Sequence, residues 1–350
     1  MRRLAAFRVD AAVWMGLGHL SRCLTLAQQL RECGWATTFL TSSTTPAWID
    51  RIVSEGNEVN LLKFAGAADP VRDGYKDWSW AEDAAASKRC LGSKATWLIV
   101  DHYALGASWE REMKGSADRI MVIDDLANRR HECDILLDQN LRDDDSYRDL
   151  LPARARVLLG PKYALLRREF GKARRTRDFR AIERLNVFMG GTDPSRSLLY
   201  VLSELLSLEI PYLQLDVIAG SKFPALSEAR KLLAGFPGGR LHIDTEHVAA
   251  LFSAADLAIG AGGIAALERC AAGLPTISIS VAKNQNEGLA RLRDHGAIEY
   301  LGSFGQLQKN QLAGCLQRQI REGDRLQGMS ERAMGLVDGL GSQRVMQVLS

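Results

Sequence analysis

Short apolar runs that end in a glycine or an aspartate, each followed by a segment with helical spacing, recur along this chain in two rounds. In the first round Leu4–Val9, Ala36–Leu40, Val59–Lys63, Trp97–Val100, Arg119–Ile123 and Ile135–Leu137 read as strands. His19 to Cys33, Pro46 to Glu55 and Ala81 to Leu91 read as helices; in the first, Leu20, Cys23, Leu24, Ala27 and Leu30 recur on one face. The rhythm restarts with strands at Leu185–Met189, Gln214–Ile218, Leu241–Ile243, Leu257–Ile259 and Thr276–Ser280. Leu198–Leu206, Val248–Ala254 and Ile264–Ala272 are the helices between them, and Gln308 to Leu349 reads as outer helices. Such alternation predicts parallel sheets with helices on both faces. A chain of 350 residues is also too long for one typical core. The expected class is α/β, with two Rossmann-like domains facing across a cleft. Residues 1–160 and 161–350 form the two domains, with a charged, loop-rich stretch near the junction.

Charge and cysteine usage narrow the function classes. A net charge of +3 from 45 basic and 42 acidic residues is nearly balanced, so nothing marks a nucleic-acid binder. The densest basic run, Arg167, Arg168, Lys172, Arg174, Arg175, Arg177 and Arg180, reads as a solvated linker or helix face, or as an attractor of anions. No apolar segment has the length of a membrane span, and no signal-peptide core follows Met1-Arg2-Arg3. Six scattered cysteines without a Cys-x-x-Cys pair fit reduced thiols in the cytoplasm. The histidines show no metal-ligand spacing, and no metal or other cofactor is expected. Oligomeric state is left open, a monomer included.

Gly16-Leu17-Gly18-His19 leaves the first strand and enters the first helix. Glycines there let backbone approach a ligand closely, and a histidine stands at the sheet edge where open α/β sheets bind ligands. Imidazole is the side chain best suited to take a proton near neutral pH. The same stretch also reads as a plain turn with a surface histidine. Three further strands end in acidic clusters: Asp101-His102-Tyr103, Asp124-Asp125 and Asp138-Gln139-Asn140. Each alone fits a cap or turn. Converging on one edge, they point to a site.

In the second half Gly260-Ala261-Gly262-Gly263 lies between a strand and a helix, where backbone N–H groups and the helix dipole favour an anion. It is neither a Walker loop nor a dinucleotide Gly-x-Gly-x-x-Gly. Glu268, just over one turn on, either bonds a ribose diol or faces solvent. Gly190-Gly191-Thr192-Asp193 either adds phosphate contacts or is a tight turn capped by Asp193, with Pro194 opening the helix.

Taken in order, these motifs resemble one family. Phe7-Arg8-Val9-Asp10, Gly16-x-Gly18-His19-x-x-Arg22-Cys23, Asp101-His102-Tyr103, Ile123-Asp124-Asp125, His131-x-Cys133-Asp134 and Asp138-Gln139-Asn140 carry the resemblance in the first half. Met189-Gly190-Gly191-Thr192-Asp193, Gly262-Gly263-x-x-x-x-Glu268, Gly273-Leu274-Pro275, Asn284-Gln285, Asp338-Gly339-x-Gly341 and Arg344-Val345 carry it in the second. They resemble the UDP-sugar hydrolases of pseudaminic acid biosynthesis, which act on UDP-2,4-diacetamido-2,4,6-trideoxy-β-L-altropyranose in the supply of sugars for flagellin and other glycoconjugates. The resemblance implies the B-type glycosyltransferase fold and a nucleotide half like that of the peptidoglycan N-acetylglucosaminyltransferase. It also implies a reaction: inverting attack of water at the anomeric carbon, releasing UDP and free sugar.

Roles follow from the same resemblance. His19 is the implied general base, with Asp10, Asp101 and Tyr103 orienting it or the sugar. Gly262 and Gly263 hold the diphosphate, Glu268 the ribose, and Asn284 with Gln285 the sugar–diphosphate junction. Gly16, Gly18, Arg22, Gly190 and Gly191 complete the substrate-binding set. UDP is a good leaving group, so a helix N-terminus can stand in for a general acid. Ala12 and Trp14 depart from the family's polar residues before the glycines, and Trp14 either narrows the sugar pocket or packs on the surface. Two other functions fit the fold: a glycosyltransferase moving the sugar to an acceptor, and a non-catalytic nucleotide-sugar binder.

Overall fold

The computed structural model describes residues 3–10, 18–42, 44–64, 78–175, 177, 179, 181–208 and 213–350. Gly16 and the departures Ala12 and Trp14 lie outside the described residues. Two compact units are present: Met1–Leu165 with Gly341–Ser350, and Leu166–Leu340.

The first unit holds strands β1 (Leu4–Val9), β2 (Ala36–Thr41), β3 (Glu58–Leu61), β4 (Ala95–Asp101), β5 (Ala117–Ile123), β6 (Ile135–Asp138) and β7 (Arg156–Leu159). Its helices are α1 (Gly18–Glu32), α2 (Pro46–Ser54), α3 (Trp80–Leu91) and α4 (Ala107–Met113). The sheet order is β3-β2-β1-β4-β5-β6-β7, with every pairing parallel. In the second unit, α5 (Arg168–Lys172) precedes β8 (Arg184–Phe188), α6 (Ser197–Leu206), β9 (Gln214–Ala219), α7 (Leu226–Leu233), β10 (Gly239–Ile243) and α8 (Val248–Ala254). Then come β11 (Leu257–Gly260), α9 (Ile264–Ala271), β12 (Thr276–Ser280), α10 (Asn286–Asp294), β13 (Glu299–Ser303), α11 (Gln311–Arg321) and α12 (Gly323–Leu336). This sheet is ordered β10-β9-β8-β11-β12-β13, again all parallel.

Burial on both sheet faces explains why the central strands read as continuous apolar runs. Along β1, Ala5, Phe7 and Val9 pack with Leu20, Cys23, Leu24, Ala27 and Leu30 of α1, while Ala6 joins the opposite layer. Phe7 stacks on Phe39 of β2 with ring centroids 4.9 Å apart. The last helix, α13 (Gly341–Leu349), returns to the first unit, where Val345 and Leu349 enter the same layer as α1. Gly341 fits there because a Cβ would overlap the backbone of Ala164.

Each sheet has its topological switch point where the chain order reverses, between β1 and β4 in one unit and between β8 and β11 in the other. Ligands bind beyond the carboxyl ends of such strands. Asp10 follows β1 and Asp101 ends β4; Gly190 follows β8 and Gly260 ends β11.

The basic run at the start of the second unit is a solvated face only in part: Arg168, Lys172 and Arg175 are exposed, Arg180 lies outside the described residues, and Arg174 and Arg177 turn inward. Arg177 is buried and donates to the carbonyls of Phe252, Ala255, Ala272 and Gly273. Those carbonyls lie within or just beyond the last turns of α8 and α9, where helices lack internal partners. Arg174 similarly donates to the carbonyls of Met334 and Val337 near the end of α12.

Candidate active site

In the first unit the site begins with two residues one helical turn apart. His19 and Arg22 share a face of the first turn of α1, and both meet the carboxylate that ends β4. His19 Nδ1 lies 2.5 Å from Asp101 Oδ1. Arg22 grips the same carboxylate with two charge-assisted bonds of 2.6 Å, from Nε to Oδ2 and from Nη2 to Oδ1. A further bond of 3.2 Å runs from Arg22 Nη1 to Asp125 Oδ2. Burial pushes the Asp101 carboxyl up, but Arg22 and then His19 outweigh it and hold the group ionised, well below the usual carboxylate range. The ionised carboxylate is the nearer partner of Nδ1, ahead of Arg22 Nη2 at 3.1 Å, so it places the ring proton there and leaves Nε2 as the lone-pair nitrogen. Tyr103 sets its ring edge-on to His19, with centroids 4.7 Å apart at 88°.

Asp10 is placed differently. It is 1% exposed and accepts from Arg8 Nη1 at 2.7 Å, from the Ser42 amide at 2.7 Å and from the Thr41 hydroxyl at 3.1 Å. His102 Nε2 stands 3.0 Å from its other oxygen. Burial raises the Asp10 carboxyl, yet Arg8 and His102 bring it well below its ordinary value. Burial also lowers the His102 imidazole, so this histidine favours its neutral form. Arg8, itself fully buried on β1, reaches on to Asp83 of α3 at 2.6 Å, and Trp109 donates to that aspartate at 2.8 Å. Asp10 thus anchors a buried charge network behind the strand end.

The other acidic strand ends follow the cap reading. Asp124 accepts from Arg129 at 2.7 Å and from the Ala127 amide at 2.9 Å. Asp138 accepts from the Asn140 amide at 2.9 Å and from Arg142 at 2.8 Å. Tyr147 lies 3.0 Å from both carboxylates. Of the acidic strand ends only Asp101, with Asp125 on Arg22, is built into the histidine's surroundings.

In the second unit, Gly263 takes φ 75° immediately before α9, a conformation that favours glycine. The Gly262 amide donates to Gln285 Oε1 at 3.3 Å, and a Cβ at Gly262 would press on the Gln285 side chain. Gly262 and Gln285, far apart in sequence, are therefore neighbours; Asn284 beside them is exposed. Gly190 takes φ 103°, and the Gly191 carbonyl accepts from the Gly220 amide at 2.9 Å, tying the ends of β8 and β9. Asp193 caps α6 by accepting from the amides of Ser197 at 3.1 Å and Leu198 at 2.8 Å. Pro194 precedes that helix by three residues and does not open it.

Glu268 is buried and does not face solvent. Burial pushes its carboxyl up to about 7, against Arg167 and Arg269, which pull it down. An acid whose pKa is higher folded than unfolded makes stability fall as pH rises between the two values. From an ordinary 4.5 to about 7 the folded protein therefore loses stability, and above that the loss levels off. At about 1.4 kcal/mol per pKa unit the loss across that window amounts to about 3 kcal/mol. Glu268→Gln is expected to flatten it, as read from denaturant unfolding of the two proteins across that window. Equal slopes would show that the carboxyl titrates normally.

Sequence reasoning missed Arg269, whose buried guanidinium lies against Gly260 and the Ala261 carbonyl. The only available signal was an arginine on the inward side of α9. Among the described residues no group of three or more His, Cys, Asp or Glu is placed to hold a metal ion, and no helix is long and apolar enough to cross a membrane. All six cysteines are free thiols.

No family model matches the chain. It is 29% identical over 252 residues to the UDP-2,4-diacetamido-2,4,6-trideoxy-beta-L-altropyranose hydrolase of Campylobacter jejuni, spanning 71% of this chain and 80% of that protein. The chain is also similar in fold to MurG of Acinetobacter baumannii, with a TM-score of 0.68 at 14% identity over 99% of both chains. Spinosyn rhamnosyltransferase SpnG superposes with a TM-score of 0.61 at 15% identity, over 99% of this chain and 100% of that one. At such identities the two structures speak for the fold alone, and they make it the expected α/β fold of B-type glycosyltransferases.

Proposed function

We propose that the protein hydrolyses a UDP-linked sugar to UDP and free sugar. The carrying observation is His19 held by Asp101 at 2.5 Å, with its second nitrogen left to take a proton from water. The likeness to a UDP-sugar hydrolase supports the reaction class and names the first substrate to try, a UDP-2,4-diacetamido-2,4,6-trideoxy sugar of the kind used in pseudaminic acid biosynthesis. In this reading the first unit supplies the base and the second holds the nucleotide. Gly262 and Gly263 take the diphosphate, Glu268 the ribose, and Gln285 yields the Gly262 amide as phosphate arrives. Water attacks the anomeric carbon from the face opposite UDP, so the sugar inverts. His19 accepts the water proton, and the glycine turn stabilises the departing diphosphate.

Incubation with the UDP-sugar and no acceptor tests this directly. UDP and free sugar should appear together, with the first-formed anomer inverted by NMR. Intact UDP-sugar without acceptor, and turnover only when an acceptor is added, would identify a transferase of the same fold.

The ribose role of Glu268 has its own test. Two ribose hydroxyls donate best to an ionised carboxylate, so UDP binding lowers the pKa of a group that stands at about 7 in the free protein. UDP binding near neutral pH should release a proton, and affinity should rise as pH rises through that value. Calorimetry in buffers of different ionisation enthalpy reads the proton directly. A proton release that persists in Glu268→Gln would assign it to another group.

A further inference from the structure

We infer that Arg269 supplies a buried positive charge behind the Gly260–Gly263 turn and strengthens that turn's hold on the phosphates of the nucleotide. The inference rests on the reading of this turn as the diphosphate site. Four arginines of the described residues are deeply buried, and three are fully engaged. Arg8 has Asp10 and Asp83, Arg22 has Asp101, and Arg177 has four backbone carbonyls. Arg269 is 0% exposed, yet its Nε and Nη1 have no hydrogen-bond partner and no carboxylate lies within ion-pair distance among the described residues; the adjacent Glu268 attracts it only from farther off, and burial pushes that carboxyl toward its neutral form. On the same sheet face the neighbouring strands present Asn186, Phe188 and Ser278, all neutral, and the carboxylate one strand further on, Asp216, is engaged by His242 and Arg184. A buried cation without a counter-charge is costly to the folded protein. It makes physical sense where an anion completes it.

Its position says which anion. A Cβ at Gly260 would lie 2.5 Å from Arg269 Nη1, so the guanidinium occupies the space directly against the end of β11. Nη2 donates to the Ala261 carbonyl at 2.5 Å. That carbonyl belongs to the same peptide unit as the Gly262 amide. A charged donor on the oxygen polarises the unit and makes the amide a better donor. Arg269 thus acts through the Gly262 N–H as a positioning residue and need not touch the ligand. Burial lowers its guanidinium to about 10, which leaves it cationic at neutral pH. Glycine at position 260 is required to seat it.

The test is a ladder of ligands that share one base and differ in phosphate charge. Binding of uridine, UMP and UDP to the full-length protein is measured for wild type, Arg269→Met and Arg269→Lys. For Arg269→Met, uridine affinity should be unchanged while UDP affinity falls about 10- to 100-fold, with UMP between. Arg269→Lys, which keeps the charge, should recover most of the loss. The unliganded Met variant should unfold no more readily than wild type, because an uncompensated charge has been removed. Equal losses for uridine and UDP, or a Lys variant as weak as Met, would reduce Arg269 to a packing residue. UDP affinity that is unaltered in both variants would overturn the inference and leave the turn's role standing. A wild-type protein that binds UDP no better than uridine would remove the diphosphate reading and this inference with it.

Discussion

His19→Ala is expected to lower UDP release from the UDP-sugar by roughly 10²- to 10⁴-fold, the usual contribution of a positioned base. Its affinity for UDP should not change. The two halves of this expectation come from different units. The proton acceptor sits on α1 in the first unit, whereas the residues assigned to the nucleotide all lie in the second. Fold is not at risk in this variant. Asp101 keeps both bonds from Arg22, so no buried carboxylate is stranded when the imidazole leaves. Steady-state release of UDP and calorimetric binding of UDP together read the outcome. A variant that retains most of its turnover would remove His19 from the chemistry, and one that loses UDP binding in parallel would place it on the nucleotide.

Arg8→Met should be the most destabilising single change in the first unit. The guanidinium is fully buried and makes ion pairs of 2.7 Å with Asp10 and 2.6 Å with Asp83. Methionine fills much of the volume but leaves two buried carboxylates without a counter-charge. Breaking a buried pair in this way costs about 3–5 kcal/mol. Arg8 is what brings the Asp10 carboxyl below its ordinary value, against the burial that raises it. Without Arg8, Asp10 is expected to gain a proton more easily. The penalty should therefore be largest at neutral pH and shrink as acid neutralises the carboxylates. Denaturant unfolding at two pH values measures both the size and the direction. A loss near zero at neutral pH would mean that Ser42, Thr41 and His102 alone suffice to hold Asp10.

Much of this architecture was legible beforehand. β1 and β12 run over the same residues as their apolar patterns predict, and α8 does too. Two strands went unread, β7 and β13, and both are outermost in their sheets. Their residues are only partly covered, so Arg156–Leu159 and Glu299–Ser303 carry too few buried apolar positions to stand out. Central strands are covered on both faces and announce themselves.

Site residues divided in a similar way. Glycine turns and strand-end acids could be located by their spacing, since each follows a strand that the pattern reveals. What each acid does could not. Asp10 and Asp101 look alike in sequence, each at the carboxyl end of a strand. One anchors a buried network with Arg8; the other takes His19 and Arg22.

By itself the sequence determined the two rounds of strand and helix, the central strands and the turns where ligand chemistry is concentrated. Those features are written in local periodicity, because burial on both faces of a parallel sheet and the backbone needs of a glycine turn act on neighbouring residues. Only the tertiary structure decided the edge strands β7 and β13, the return of α13 to the first unit, the partners of each aspartate and the unpaired nitrogens of Arg269. Those outcomes rest on contacts between distant segments, such as Arg22 with Asp101 across 79 positions and Arg8 with Asp83 across 75. No local pattern distinguishes a buried arginine that meets a carboxylate from one that does not; the path of the backbone between them makes that choice.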